Sequence, residues 1–172
     1  TVYHGNLNIA AQYDLLDDAI TLSGTISDVE VNNKELGTLK FDGFKNNENL
    51  NAHISVNENY GKADFSIRNE GTPLIYNLDI SDLDLTYVNS GMPWQNTIPV
   101  TGQINAELNG SYDKELKSLG YVSFKNVETY LTENRIYLKA DQDTLWFRDT
   151  EVLARNFKLY DKKGNTTLLD GK

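Results

Sequence analysis

The chain is 172 residues long and carries 16 Lys and Arg against 25 Asp and Glu, a formal net charge of −9. That balance excludes a nucleic-acid phosphate binder and electrostatic docking on an anionic lipid surface, both of which need a basic face. With no cysteine there is no disulfide framework, thiolate metal site or thiol nucleophile, and no run approaches the ~18 apolar residues of a membrane-spanning helix.

Apolar and polar residues alternate almost from the start. Leu7, Ile9, Ala11 and Tyr13 form the first run, and Ile20, Leu22, Gly24 and Ile26 the second. Leu39, Phe41 and Gly43 follow, then Leu50, Ala52, Ile54 and Val56, then Ala63, Phe65 and Ile67. Each run predicts a strand with one apolar face, because successive side chains of a strand point to opposite sides. Tyr76, Leu78 and Ile80 share a face, but Leu83, Leu85 and Tyr87 restart the pattern out of phase. Such a slip exchanges the faces unless an extra residue is accommodated, so a bulge or bend is expected near Ser81-Asp82. Residues 89–99, with Gly91, Pro93, Trp94 and Pro99, read as the one long loop.

The second half opens with the clearest strand. Val100, Gly102, Ile104, Ala106, Leu108 and Gly110 lie on one side; Thr101, Gln103, Asn105, Glu107 and Asn109 lie on the other. Val122/Phe124, Ile136/Leu138/Ala140, Leu145/Phe147, Phe157/Leu159 and Thr166/Leu168 continue the theme. Turn signals fall at Asp17-Asp18, Asn32-Asn33, Asp42-Gly43, Asn46-Asn47, Asn59–Gly61, Glu70-Gly71 and Asp161–Asn165. No stretch has helical period; Asp113–Leu119 could supply one helical turn at most. Roughly twelve strands at spacings of about 8–14 residues give an all-β chain, an extended sheet with neighbouring strands paired in order. Twenty asparagines and ten tyrosines suit the turns and half-buried faces of such a sheet. The chain starts and stops inside strand-like sequence, so residues 1–172 read as a single all-β segment of something longer.

Residues with chemistry to offer are sparse. His4 and His53 stand alone, without a partner at ligand spacing, and read as structural. Asp79/Asp82/Asp84 and Asp141/Asp143/Asp149 are clustered in sequence, but calcium needs six to eight converging oxygens. The alternation of Asp82 and Asp84 with leucines reads more simply as a solvent-facing row. No nucleophile elbow, zinc helix motif or phosphate loop occurs. The expectation is a protein that is not an enzyme and uses no cofactor or metal. Trp94 and Trp146 could form a sugar-stacking platform, although Trp146 in Leu145-Trp146-Phe147 suits ordinary strand packing. Asn109-Gly110-Ser111 and Asn165-Thr166-Thr167 match the glycosylation acceptor pattern, but both read as turn chemistry.

Residues 100–171 carry a more specific pattern. A strand ends in Leu108-Asn109-Gly110, and Gly120-Tyr-Val-Ser-Phe-Lys-Asn126 follows a short insert. Then come Ile136-Tyr-Leu138, Leu145-Trp-Phe-Arg-Asp149, Asn156-Phe-Lys-Leu-Tyr-Asp-Lys-Lys-Gly-Asn165 and Leu169-Asp-Gly171. This order resembles the C-terminal region of the TamB translocation and assembly proteins of the AsmA-like superfamily, in the Asn- and Tyr-rich style of Bacteroidetes members. The likeness covers about 70 residues, and residues 1–99 agree in texture only. It implies a long sheet curled into an open U, apolar on the concave face and polar on the convex one. It further implies a periplasmic protein, anchored in the inner membrane at full length, that meets a TamA-like outer-membrane barrel, moves phospholipids outward and supports the assembly of outer-membrane proteins.

The reading that results is a hydrophobic β-groove segment that binds acyl chains. Its expected lining is Ile20, Leu22, Ile26, Leu39, Phe41, Ile54, Val56, Phe65, Ile67, Leu78, Ile80, Ile104, Leu108, Val122, Phe124, Ile136, Leu138, Phe157 and Leu159. Gly24, Gly102 and Gly110 fall on the same face, where they would ease a tight curl. A charge placed at Ile104 or Phe124 is expected to block lipid passage more than it unfolds the chain. The rivals are a closed β-sandwich module for a carbohydrate or protein ligand, and a chaperone-like surface for outer-membrane protein strands. Exposed terminal strands would also allow two copies to pair edge to edge.

Overall fold

The computed structural model describes residues 3–31, 34–70, 72–87, 100–115, 117–125, 127–131, 136–140 and 143–172. They form strands β1 (Tyr3–Asp14), β2 (Ala19–Val31), β3 (Lys34–Lys45), β4 (Asn49–Glu58), β5 (Gly61–Glu70) and β6 (Leu74–Asp84). After these come β7 (Val100–Asp113), β8 (Lys117–Phe124), β9 (Val127–Leu131), β10 (Ile136–Ala140), β11 (Asp143–Arg148), β12 (Glu151–Tyr160) and β13 (Thr166–Gly171). All belong to one antiparallel sheet of 13 strands. The expected long loop with Trp94, and the turns at Asn32-Asn33 and Gly71, lie outside the described residues.

Through β8 each strand pairs with its successor; beyond it, β8 pairs β11 while β9 pairs both β7 and β10. The register shows that this is not a crossover. Strand β9 continues the line of β8 along β7: Ala106 faces Phe124, and Gln103 faces Glu128. Strands β10 and β11 likewise form one line, since Ala140 faces Val127 and Asp143 faces Phe124, with two intervening residues on either side. Strand β12 then runs along both, Leu145 facing Ala154 and Lys139 facing Tyr160. The sheet is therefore an uninterrupted meander of eleven lanes, two of them broken once, and the expectation of neighbours paired in order holds throughout.

Keeping one face apolar across so many lanes requires that no strand lose phase. Four steps between inward apolar residues are three residues long instead of two: Ile26 to Val29, Ile80 to Leu83, Phe124 to Val127 and Ala154 to Phe157. The ladders shift register at Ile26/Val29, Ile80/Leu83 and Ala154/Phe157, and between Phe124 and Val127 the chain passes from β8 to β9. Just before three of the steps end, Asp28, Asp82 and Asn156 adopt left-handed φ of 53°, 53° and 51°, a conformation that Asp and Asn tolerate better than other side chains. The bulge expected at Ser81-Asp82 is thus one of a set. There the amide of Asp82 donates to Asn105 Oδ1 at 2.7 Å, so the extra residue keeps a hydrogen-bond partner.

Other local readings need correction. Asp42-Gly43 is no turn; it lies inside β3, facing His53 and Ala52, because the alternation of Leu39 and Phe41 carries through it. Residues 113–117 close a hairpin, not a helical turn, with Asp113 facing Lys117 at φ 59°. The alternation of Leu83, Leu85 and Tyr87 ends at Asp84, whose carboxylate accepts from the amides of Thr86 (2.8 Å) and Tyr87 (3.2 Å) and caps a short helical stretch at residues 85–87. Asn109 stands mid-strand opposite Asn77 and Tyr121. The Asp161–Asn165 turn forms as expected: its ends bond amide to carbonyl at 3.0 Å, and Gly164 takes φ 82°.

Elements in substantial contact are hydrogen-bonded neighbours, so among the described residues no second layer covers the sheet. A closed sandwich would require one. The accessible surface, 11654 Å², exceeds the about 8,500 Å² of a compact monomer of 19.4 kDa. What core there is gathers at Val127, Ala140 and Phe157, with Ile104, Phe124, Leu145, Ala154 and Leu159 packed around them. Replacing Asp82 by Val, which is β-branched and forced to a left-handed φ, is expected to cost about 1–3 kcal/mol. Asp82→Gly should be near neutral. Urea unfolding of the two variants checks this, and equal midpoints would mean that the bulge conformation is not what holds the register.

Candidate functional site

In-phase pairing turns separate alternating runs into rows that cross the sheet, since residues directly opposite share a face. One row runs Leu7, Ile26, Leu39, Val56, Ala63, Ile80, Ala106 and Phe124. The next runs Ile9, Gly24, Phe41, Ile54, Phe65, Leu78, Leu108, Val122, Leu145 and Ala154. A third runs Ala11, Leu22, Gly43, Ala52, Ile67, Tyr76, Gly110, Gly120, Phe147 and Val152.

Those expected lining residues whose side chains are described fall on this face. Ile20 lies beside the third row, between Tyr13 and Lys45. Ile104 faces Leu83 beyond the bulge, and Phe157 and Leu159 belong to the small core. Ile136 and Leu138 face Leu131 and Thr129 in the ladder, but their side chains lie outside the described set. Sequence reasoning left Val127 and Ala140 out of the lining. Each sits beside a break in its lane, where alternation alone loses phase; the three-residue step from Phe124 was the available signal.

At Gly24 and Gly110 the space a side chain would take on this face is filled by neighbouring rings. A Cβ on Gly110 would come within 2.3 Å of the Tyr76 ring, and one on Gly24 within 2.6 Å of Phe41. Tyr76 reaches over Gly110 to place its hydroxyl 2.6 Å from Ser118 Oγ. Gly102 differs: its φ is 115° and a Cβ would lie 1.9 Å from the Glu128 carbonyl oxygen, so there the backbone itself requires glycine.

Coverage of the face is graded. At the β1–β2 end it is bare, with Leu7 61% and Ile20 45% exposed. At the β9–β12 end Phe157 is 6% and Ala140 5% exposed. The Phe124 and Phe157 rings meet edge to face at 5.8 Å, although their lanes are separated by another and would lie about 10 Å apart in a flat sheet. A charge at Ile104 or Phe124 would therefore strike the one packed region. Leu22 and Ile54, exposed on the same face, are the positions where an effect on binding separates most cleanly from one on folding.

The opposite face is polar. Lys125–Glu107 (3.0 Å) and Lys117–Asp149 (2.9 Å) are ion pairs with exposed ends, and Asp79, Asp82 and Asp84 are scattered among ladder, bulge and cap. No group of three or more potential ligands is placed to hold a metal ion among the described residues. Trp146 is not packed in a core; it stands on this polar face, 47% exposed, with its ring 5.4 Å from that of Tyr121.

His53 joins three strands. Its Nδ1 lies 3.1 Å from Asp42 Oδ1 on β3, and its Nε2 2.9 Å from both carboxylate oxygens of Asp64 on β5. Only the imidazolium donates to both carboxylates, so the bond to Asp64, followed by that to Asp42, raises the His53 pKa above its ordinary value against a smaller opposing effect of burial. A raised folded-state pKa gives stability that is fully present below the unfolded value and fades as pH rises through the folded one. The stability difference between the wild type and His53→Gln should be largest near about pH 5.5 and small by about pH 9. Thermal melts across that range check it; a difference independent of pH would assign His53 a packing role only. Against family models, curated proteins and solved structures, the chain has no match.

Proposed function

We propose that this domain is a wall of a hydrophobic groove that holds phospholipid acyl chains and lets them slide along the apolar rows, in the manner of the TamB proteins that residues 100–171 resemble. The observation that carries the reading is the set of apolar rows crossing as many as ten lanes and left uncovered over their first half. In water such a face is unfavourable by roughly 25 cal/mol for each Å². An acyl chain laid along it relieves that, since each CH₂ transferred contributes roughly 0.8 kcal/mol, or on the order of 12 kcal/mol for a chain of fifteen. Neighbouring rows offer equivalent, non-directional contacts, so a lipid can shift along them without a large barrier. The approach of Phe124 to Phe157 across an intervening lane supports a sheet curling toward its apolar side, and the U-shaped groove extends that tendency. In this reading the full-length protein works in the periplasm from an inner-membrane anchor, delivers phospholipid toward the outer membrane and a TamA-like barrel, and catalyses no reaction.

A chaperone-like surface is favoured by one feature: β1 bonds only to β2, so its outer edge is unpaired among the described residues. That reading predicts affinity for strand peptides in place of lipid. The separating experiment is binding of an apolar fluorophore, N-phenyl-1-naphthylamine, to the native domain, followed by displacement with a phospholipid. The wild type should enhance its emission several-fold. A Leu22→Asp/Ile54→Asp variant should lose most of that with its melting temperature little changed, whereas Phe157→Ala should cost about 3–5 kcal/mol of stability. No enhancement by the folded wild type would overturn the groove.

A further inference from the structure

Strong alternation should leave the polar face without large apolar groups, and apart from Phe44 and Ile75 it does so over the strands before β8: one row of that face reads Ser23, Asp42, His53, Ser66, Asn77 and Asn109. The same row then changes character, continuing as Tyr121, Trp146 and Leu153. In the next row Leu119 faces Arg148. Leu119, Trp146, Arg148, Leu153 and Arg155, with Gly120 and Phe147, line a shallow recess of about 280 Å³. Leu119 is 52% exposed, like Trp146 beside it too open to be holding the fold together.

We propose that this recess docks a polypeptide segment that presents one large apolar side chain flanked by carboxylates. Three observations select that occupant. The recess is smaller than the pockets that enclose a drug-sized ligand or cofactor, but it suits a single Leu- or Phe-sized group. Its charged lining residues are Arg148 and Arg155, with no acid among them, in a chain whose net charge is −9. Neither guanidinium has an ion pair or side-chain hydrogen bond among the described residues, and Glu151, which faces Arg148 across the hairpin, is held by Lys172 at 2.6 Å. The combination of Trp146 with two arginines on paired strands is also the composition of interface hot spots. An anionic membrane is a poor alternative, because the acid-rich remainder of the chain would be repelled from an extended negative surface. A short acidic segment meets only the local positive field.

The site is on the face opposite the proposed lipid wall, so the two can fail independently. The test is fluorescence polarisation with labelled nine-residue peptides centred on Asp-Asp-Phe-Asp-Asp, with Asn-Asn-Phe-Asn-Asn, Asp-Asp-Ala-Asp-Asp and Lys-Lys-Phe-Lys-Lys as comparators. The acidic phenylalanine peptide should bind at least about tenfold more tightly than any comparator. Arg148→Gln/Arg155→Gln and, separately, Leu119→Ser should each remove most of that advantage. Both variants should keep the circular dichroism, melting temperature and naphthylamine binding of the wild type, and a variant that melts early is replaced by Arg155→Gln alone. Equal binding of acidic and neutral peptides, binding that survives loss of both arginines, or binding of phosphatidylglycerol vesicles in place of the peptides would overturn the proposal.

Discussion

Phase is the constraint on which this molecule depends. A strand presents alternate residues to alternate sides, so a single uncompensated residue anywhere would send every later apolar side chain to the wrong face. With no second layer among the described residues to reward the right face, the chain must carry its own correction. It does so with an apolar residue, two further positions ending in Asp or Asn, and another apolar residue: Ile26-Ser27-Asp28-Val29, Ile80-Ser81-Asp82-Leu83, Phe124-Lys125-Asn126-Val127 and Ala154-Arg155-Asn156-Phe157. At Asp28, Asp82 and Asn156 the left-handed residue takes up the odd position, and the apolar stripe resumes where it left off. Three of these corrections begin along one row, at Ile26, Ile80 and Phe124, so the bending that accompanies a bulge is concentrated along one line of the sheet.

The all-β class, the ordered meander and the apolar face were legible because they rest on period-two alternation, which needs no tertiary information. The bulge at Ser81-Asp82 was legible for the same reason, since Ile80 and Leu83 are visibly out of step. Asp42-Gly43 misled because its composition is that of a turn; the strand runs through it, and Asp42 spends its carboxylate on His53 in the next strand. Trp146 misled in the opposite way. Flanked by Leu145 and Phe147 it looks like a core residue, yet alternation puts it on the side away from both. Which part of the apolar face is covered could not be read from alternation, because Leu22 and Phe157 occupy equivalent places in their strands. Their difference comes from the approach of side chains across lanes near β8–β12, which depends on the shape of the sheet.

The two faces divide the work of the molecule physically. On the apolar side, contacts are non-directional and repeated, with rings laid over Gly24 and Gly110 filling what would be gaps. On the polar side, contacts are directional and particular: a histidine between two aspartates, a lysine on Glu107, an arginine pair beside Trp146. Substitution on the first side is expected to act through area and volume, and on the second through charge and geometry, which lets the two be altered separately in one chain.

Because the substantial contacts of each strand are with its hydrogen-bonded neighbours, the domain is close to one-dimensional away from the small cluster around Phe157. Each hairpin adds two lanes, about 10 Å of width. A pair of lanes inserted or removed leaves strand direction, facing and row alignment unchanged on either side, whereas a single lane would reverse the course of everything beyond it. Away from the cluster around Phe157, the architecture is therefore extensible in even steps, and its span can be set by counting hairpins.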